Sequence, residues 1–158
     1  MARATYIQPS LEEWLEKFHF MTKITIRYCE TDMSGHLNNT SHLIYFEQGR
    51  VEYFDNLGFG DLVLDYNADL MVVVADIACH YHSEAFFRET LRLGVRVARL
   101  GNSSLELEYC LIAEEKNRLV ATGRGTIVLL DKKTRRSVPI PEKARESIAL
   151  FEQMELIG

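Results

Sequence analysis

The fold of this chain is decided by residues 27–47, which read RYCETDMSGHLNNTSHLIYFE. The sequence leading into this stretch alternates between apolar and polar side chains, which predicts a half-buried strand with Ile24, Ile26 and Tyr28 on its buried face. A polar turn over residues 31–38 then carries the carboxylate of Asp32 into the start of a helix. A carboxylate beside unpaired N–H groups supplies a base or nucleophile and an oxyanion site, so the stretch predicts acyl transfer.

The helix is predicted over residues 41–57. Its apolar side chains are spread too widely for one narrow stripe, so we expect burial on most sides. Gly49, in the middle of the helix, lowers helix propensity but permits a close approach to a sheet. Gly58 is a typical helix stop.

The sequence after the helix is mostly strand. Alternation of period two predicts strands over residues 71–83, 90–100, 104–113 and 119–130, and a final helix over 142–154. We expect these four strands to form an antiparallel meander, which gives an α+β fold with the first strand and the long helix. Residues 1–21 are predicted to be an extension with a short helix capped by Ser10. Residues 22–158 are predicted to form a single domain.

Composition excludes several classes of protein. A chain of 158 residues, 47% hydrophobic and 26% charged, suits one compact domain with a sizeable core. The net charge of -5 offers no basic field for nucleic acid. With no run of about 18 apolar residues and no signal peptide, we expect a cytoplasmic protein without a membrane partner. The three cysteines lack a Cys-x-x-Cys pair and are predicted to be reduced, structural thiols.

One family shares the whole pattern. Asp32-x-x-Gly35-His36-x-Asn38-Asn39, followed by Tyr45-Phe46-Glu47-x-x-Arg50 and Leu57-Gly58, resembles the hotdog-fold thioesterases of the 4-hydroxybenzoyl-CoA thioesterase type. The resemblance extends from Thr22 to Leu150 and includes the turn at residues 101–104 and the Pro139 and Pro141 pair. It implies a curved antiparallel sheet wrapped around a long central helix. It also implies sheets paired between subunits and active sites across their interface, hence a homodimer or homotetramer.

The resemblance implies an acyl-CoA thioesterase that releases a free acid and coenzyme A, with no cofactor other than the coenzyme A of the substrate. Asp32 matches the catalytic aspartate of the family and is predicted to act as a nucleophile or as a general base on water. The backbone N–H of Asn39 is the predicted oxyanion donor. Gly35 lets the backbone turn tightly beside the substrate, and His36 is a supporting residue that orients the carboxylate or protonates the leaving thiol.

Two further sets of residues complete the predicted site. Glu47 is the reserve catalytic acid, because some hotdog thioesterases use an acid on the helix; its structural alternative is an ion pair with Arg50. The predicted substrate-binding residues are Tyr45, Phe46, Ser104, Arg135 and Arg136. The aromatic side chains, with Tyr53, Phe54 and Phe59, serve equally well as an acyl pocket or as core. The arginines belong to a basic cluster, with Lys132 and Lys133, that suits the phosphates of coenzyme A; Arg88 and Arg99 are in reserve.

Several alternatives stay open from sequence. A carrier-protein thioesterase would use the same chemistry, and the turn at residues 101–104 lacks the arginines that some relatives have there. A non-catalytic acyl-CoA-binding protein is a second alternative. Sensors of this fold that regulate transcription carry a helix-turn-helix, and residues 1–21 are too short to hold one. A dehydratase or hydratase would need a different arrangement of Asp and His. His80 and His82, with His42 and Asp76 available, lack a third metal ligand of recognisable spacing, so no metal site is predicted.

Overall fold

The centre of the protein is a five-stranded antiparallel sheet. The computed structural model describes residues 4–155 and contains β1 (Phe20–Thr25), β2 (Leu70–Tyr81), β3 (Thr90–Leu100), β4 (Ser104–Ala113) and β5 (Arg118–Asp131). The strand order is β1-β3-β4-β5-β2. The predicted meander of four strands is therefore wrong for β2, which pairs with β5. Because β1 occupies the other side of β3, with Phe20 opposite Val95, β2 adds to the far edge of the sheet.

Within the described part of the chain, four α-helices accompany the sheet: α1 (Leu11–Glu16), α2 (Asn39–Asn56), α3 (Gly60–Leu64) and α4 (Glu142–Glu152). The long helix α2 lies against one face of the sheet, as predicted, but only one side of it is buried. Ile44 is 57% exposed and Glu47 is exposed as well, so the expected burial on most sides is wrong. At Gly49, a side chain would collide with Leu93 and Val95 of β3, which confirms the predicted close approach of helix and sheet.

The main core lies between α2 and the sheet. Phe46 is completely buried and its ring stacks on Tyr109 of β4 at 4.5 Å between centroids. Helix α4 closes the core near the other end of α2, where the hydroxyl of Tyr53 donates a 2.6 Å hydrogen bond to Glu152. Burial of large apolar and aromatic side chains is the main source of stability in such a core.

The N-terminal segment covers part of the opposite face of the sheet. Cys110 and Ile112 point to that face because they alternate along β4 with Tyr109 and Leu111, which face α2. Trp14 of α1 packs on this second cluster and donates a 2.6 Å hydrogen bond from Nε1 to Glu108. Ser10 caps α1 by accepting a hydrogen bond from the backbone N–H of Glu13, as its sequence position predicts.

Some local predictions differ from the structure. Helix α3 is not among the predicted elements, and Tyr28 is 78% exposed in a 3₁₀ turn (Tyr28–Glu30) rather than on the predicted buried strand face. The first residues of the predicted extension, 1–3, and the last residues of the predicted domain, 156–158, lie outside the described residues. Within residues 4–155 the three cysteines are free thiols, and no helix has the length and apolar character to cross a bilayer.

Candidate active site

An open cleft lies where the Asp32 turn, the start of α2 and the end of β2 meet. Its volume is about 320 Å³. The residues that border it are Asp32, His36, Leu37, Asn39, His42, Tyr81, His82, Ser83, Glu84 and Ala85. The structure thus brings together three of the predicted catalytic residues, Asp32, His36 and Asn39, with side chains from the end of the edge strand.

Glu30 anchors the turn that carries Asp32. Its buried carboxylate accepts hydrogen bonds from the backbone N–H and guanidinium of Arg27 and from the hydroxyl of Tyr45, at 2.6–3.0 Å. Burial opposes the charge, but these hydrogen bonds outweigh it and hold the pKa of Glu30 below its usual value. The carbonyl of Glu30 also accepts from the N–H of Asn38 and the hydroxyl of Ser41, so both ends of the turn are tied to one residue.

Asp32 is held by its own turn. Its Oδ1 accepts hydrogen bonds from the backbone N–H groups of Ser34 (2.8 Å) and His36 (3.3 Å). Gly35 has a φ of +79°, the left-handed conformation that glycine adopts readily, as predicted for this turn. No hydrogen bond among residues 4–155 engages Oδ2 of Asp32, and the residue is exposed. One carboxylate oxygen is therefore fixed while the other is accessible from the cleft.

The start of α2 borders the same cleft. Asn38 is the N-cap, and its side chain accepts a hydrogen bond from the N–H of Thr40. Asn39 is the first helical residue, and the N–H of a first helical residue has no acceptor within the helix. Among residues 4–155 no acceptor binds the N–H of Asn39. The hydroxyl of Tyr81 donates a 2.9 Å hydrogen bond to the carbonyl of Asn39, which ties the first turn of α2 to the end of β2. The helix dipole favours negative charge at this position.

The two histidines of this region have different neighbours. The ring of His36 lies 3.4 Å from the carboxylate of Glu84 and packs edge-on against Phe86, so only its backbone N–H orients Asp32. His42 is buried and donates from Nδ1 to the carbonyl of Asn38 at 3.0 Å. Burial lowers the pKa of His42, which favours its neutral form.

The other predicted residues on α2 do not border the cleft. Tyr45 and Phe46 are 3% and 0% exposed and belong to the main core. Glu47 is exposed on the side of α2 away from the sheet. The predicted ion pair of Glu47 with Arg50 is wrong, because the buried guanidinium of Arg50 donates instead to the hydroxyl of Tyr109 at 3.1 Å.

Ser104, Arg135 and Arg136 lie at the opposite end of the sheet. Tyr81 pairs with Ala121 near the cleft, whereas Met71 pairs with Leu130 at the far end of the same two strands, about 30 Å away at the usual rise per residue. Arg135 and Arg136 are exposed in the turn that follows β5. Within one chain these residues do not reach the cleft.

The sequence did not single out Glu30, Tyr81 or His82 for this site. For Glu30 a local signal exists, since an acid three residues after Arg27 closes the 3₁₀ turn with hydrogen bonds to that arginine. Tyr81 and His82 reach the cleft only because β2 ends there, and this depends on a strand order that local patterns do not reveal.

Comparisons with known proteins identify the family. The model of the Thioesterase-like superfamily matches residues 26–148. The uncharacterized protein YsmA of Bacillus subtilis (strain 168) is 33% identical over 148 residues, which are 94% of this chain and 97% of YsmA. The long-chain acyl-CoA thioesterase FadM of Escherichia coli (strain K12) is 26% identical over 80% of this chain and 95% of FadM.

Solved structures agree with this result. A thioesterase from Thermus thermophilus, complexed with coenzyme A and zinc, has a TM-score of 0.74 and 29% identity over 89% of this chain and 99% of that one. The predicted α+β hotdog architecture, an antiparallel sheet packed on a central helix, is confirmed by this match. The chain belongs to the Thioesterase-like superfamily.

Proposed function

We propose that this protein is an acyl-CoA thioesterase whose active site is the cleft at the start of α2. One observation carries the proposal. Two groups without a hydrogen-bond partner in the described chain, Oδ2 of Asp32 and the backbone N–H of Asn39, belong to residues that border the same cleft. An accessible carboxylate and an oxyanion donor are the two components that hydrolysis of a thioester needs.

The mechanism starts with the thioester carbonyl oxygen accepting a hydrogen bond from the N–H of Asn39. As a general base, Asp32 takes a proton from water while the water oxygen attacks the carbonyl carbon. The tetrahedral intermediate then collapses, the C–S bond breaks with its electron pair on sulfur, and the proton passes from Asp32 to the thiolate. As a nucleophile, Asp32 instead expels the thiolate first and forms an anhydride that water hydrolyses. Both routes yield a free acid and a thiol.

Coenzyme A is the proposed thiol carrier. FadM is a long-chain acyl-CoA thioesterase by name, and the Thermus relative was crystallised with coenzyme A. The phosphates of coenzyme A call for cations, yet no Lys or Arg among residues 4–155 borders the cleft. We infer that those cations come from a second subunit.

A homodimer would supply them. Strand β2 is an edge strand with exposed or half-exposed apolar residues from Leu70 to Val74, and such an edge invites pairing with a second chain. If two copies of β2 pair antiparallel about their midpoints, the turn that carries Arg135 and Arg136 approaches the cleft of the other copy. Both guanidinium groups lack a carboxylate partner among residues 4–155, whereas Arg99 is paired with Glu106. This supports Arg135 and Arg136 as phosphate-binding residues acting between subunits.

Because the described residues place no cation at the cleft, a second candidate function stays open: hydrolysis of a thioester on a carrier protein. A thioester presented by an acyl-carrier protein would need the same Asp32 and Asn39 but fewer nucleotide contacts. Substitution of Arg135 and Arg136 by Gln distinguishes the two candidate functions. It should raise KM for acyl-CoA if these residues bind the phosphates of coenzyme A. A KM for acyl-CoA that stays unchanged would favour the carrier protein as the donor.

The test of the proposal is thiol release from short, long and aromatic acyl-CoA esters by the wild type and by Asp32→Asn. We expect turnover of at least one ester and a loss of about 100-fold or more in kcat for Asp32→Asn. Glu47→Gln is the matched control, an exposed carboxylate on α2 that does not border the cleft, and should retain activity. Full activity of Asp32→Asn together with loss in Glu47→Gln would transfer the catalytic role to Glu47.

A further inference from the structure

Four side chains, those of His80, Tyr6, Thr122 and His82, form a continuous hydrogen-bond network that ends at the cleft. Nδ1 of His80 lies 2.8 Å from the hydroxyl of Tyr6, and this hydroxyl donates to Oγ1 of Thr122 at 2.9 Å. Oγ1 of Thr122 lies 2.9 Å from Nε2 of His82. Thr122 is completely buried, and His82 is the member of the network that borders the cleft. This hydrogen-bond network therefore links the N-terminal segment, which carries Tyr6, to the candidate active site.

The hydrogen bonds around Thr122 bear on the tautomer of His82. Tyr6 has a single hydroxyl proton, and it is donated to Thr122, so the Tyr6 oxygen accepts the proton of His80 at Nδ1. Thr122 accepts from Tyr6 and has its own proton left to donate, and Nε2 of His82 is within hydrogen-bond distance. If Thr122 donates that proton to Nε2 of His82, Nε2 is an acceptor and the proton of the neutral ring resides on Nδ1.

The second ring nitrogen of His82, Nδ1, is available to a ligand. No hydrogen bond among residues 4–155 uses Nδ1 of His82, while the backbone N–H of the same residue is already bonded to the carbonyl of Val120. Burial and the neighbouring His80 both lower the pKa of His82, which keeps the ring neutral near pH 7. A neutral imidazole with one nitrogen locked as acceptor presents the other as a fixed donor.

We propose that His82 is a catalytic residue, a second hydrogen-bond donor to the thioester oxygen, and that Thr122 and Tyr6 are positioning residues that hold it in the Nδ1–H form. This inference rests on the proposed thioesterase function and adds a donor to the one supplied by Asn39. Two donors converging on one oxygen are the usual composition of an oxyanion site. It also gives the N-terminal segment a role in the reaction, through Tyr6.

The tautomer is tested directly by ¹⁵N NMR of the histidine rings in the full chain, without substrate. We expect His82 of the wild type to be the neutral Nδ1–H tautomer at pH 7. Thr122→Val, which keeps the shape of the side chain but removes its hydroxyl, should convert His82 to a mixture of tautomers. Tyr6→Phe, at a half-buried position, is the second variant if Thr122→Val does not fold. A wild-type His82 in the Nε2–H form would overturn the proposal.

Kinetics test the catalytic role with an ester that the wild type hydrolyses. Removal of one oxyanion donor costs about 100-fold or more in kcat, so His82→Phe should show such a loss with little change in KM. Thr122→Val and Tyr6→Phe should show smaller losses in kcat in the same direction. His19→Phe is the matched control, since His19 packs against Phe151 away from the cleft, and it should keep the activity of the wild type.

Failure of this inference is distinguishable from failure of the proposed function. If Asp32→Asn is inactive and His82→Phe is fully active, His82 is not a donor and the thioesterase assignment stands. If Asp32→Asn is as active as the wild type, or no thioester is cleaved, the proposed function fails and the catalytic role of His82 fails with it.

Discussion

The two ends of α2 are built in opposite ways. At the N-terminal end, polar groups border an open cleft, and Asn39 and Asp32 each keep one hydrogen-bonding group without a partner in the described chain. At the C-terminal end, Phe54 and Phe59 close a small cavity of about 20 Å³ with apolar residues of α3, α4 and the sheet. One helix therefore serves chemistry at one end and stability at the other.

The difference follows from what each end has to do. An oxyanion site requires N–H groups that no protein acceptor uses, so the N-terminal end gives up hydrogen bonds that would otherwise stabilise the helix. Stability must then come from elsewhere, and the buried aromatic and aliphatic side chains at the other end supply it. Substitutions at the C-terminal end should change stability alone, while those at the N-terminal end should also change turnover.

The largest effect on stability is expected at the C-terminal end. Phe54 is 1% exposed and lies in the main core. Phe54→Ala should lower the free energy of unfolding by about 3–5 kcal/mol, because it deletes a buried ring beside an existing cavity. Urea denaturation measures the loss, and kcat per folded molecule should stay at the wild-type value. A fall in kcat without a loss of stability would place substrate at this end of the helix.

A smaller effect is expected for Glu30→Gln, at the base of the Asp32 turn. Loss of the charged partner of Arg27 and Tyr45 should cost about 2 kcal/mol at pH 7, and kcat should fall as the turn loosens. Because the folded-state pKa of Glu30 lies below its unfolded value, its stabilisation is present at neutral pH and is lost as pH falls below about 4.3, through the folded-state pKa.

The pH dependence of unfolding provides the check on Glu30. The wild type should lose stability over that acidic range more steeply than Glu30→Gln. Glu108 offers a contrast, because burial raises its pKa and its ionisation therefore costs stability at neutral pH. Glu108→Gln should not reduce the acid sensitivity of the protein. Identical pH profiles for the wild type and Glu30→Gln would contradict the role of Glu30 as an ionised anchor.

The smallest effect on stability is expected at the caps. Asn38→Ala should cost about 1 kcal/mol by removing the N-cap of α2, and it should also lower kcat because Asn39 follows directly. Ser10→Ala removes an N-cap of the same kind from α1, on the other face of the sheet, and should cost stability without lowering kcat. Equal effects of the two substitutions on kcat would argue against the start of α2 as part of the active site.

The sequence predicted best what depends on neighbouring residues. The bounds of β3 and β4 agree with their alternation, and the Asp32 turn with its glycine was predicted from one continuous stretch. The position of β2 at the far edge was missed, because strand order depends on pairing between distant segments.

The same limit applies to the candidate site. Asp32, His36 and Asn39 are close in sequence and meet at the cleft, whereas Tyr81 and His82 arrive from a distant strand. Tyr45 and Phe46 illustrate a second limit, since aromatic residues on a helix look alike whether they line a pocket or fill a core. Only the direction in which α2 faces the sheet distinguishes these two roles.

A crystal structure of Asp32→Asn with a hydrolysis-resistant ketone analogue of an accepted acyl-CoA would show whether the cleft at the start of α2 binds the thioester. We expect the carbonyl oxygen within hydrogen-bond distance, about 3 Å, of the backbone nitrogen of Asn39, with residue 32 facing the carbonyl carbon. An analogue bound with its carbonyl away from the start of α2, for instance at the apolar end near Phe54, would contradict it.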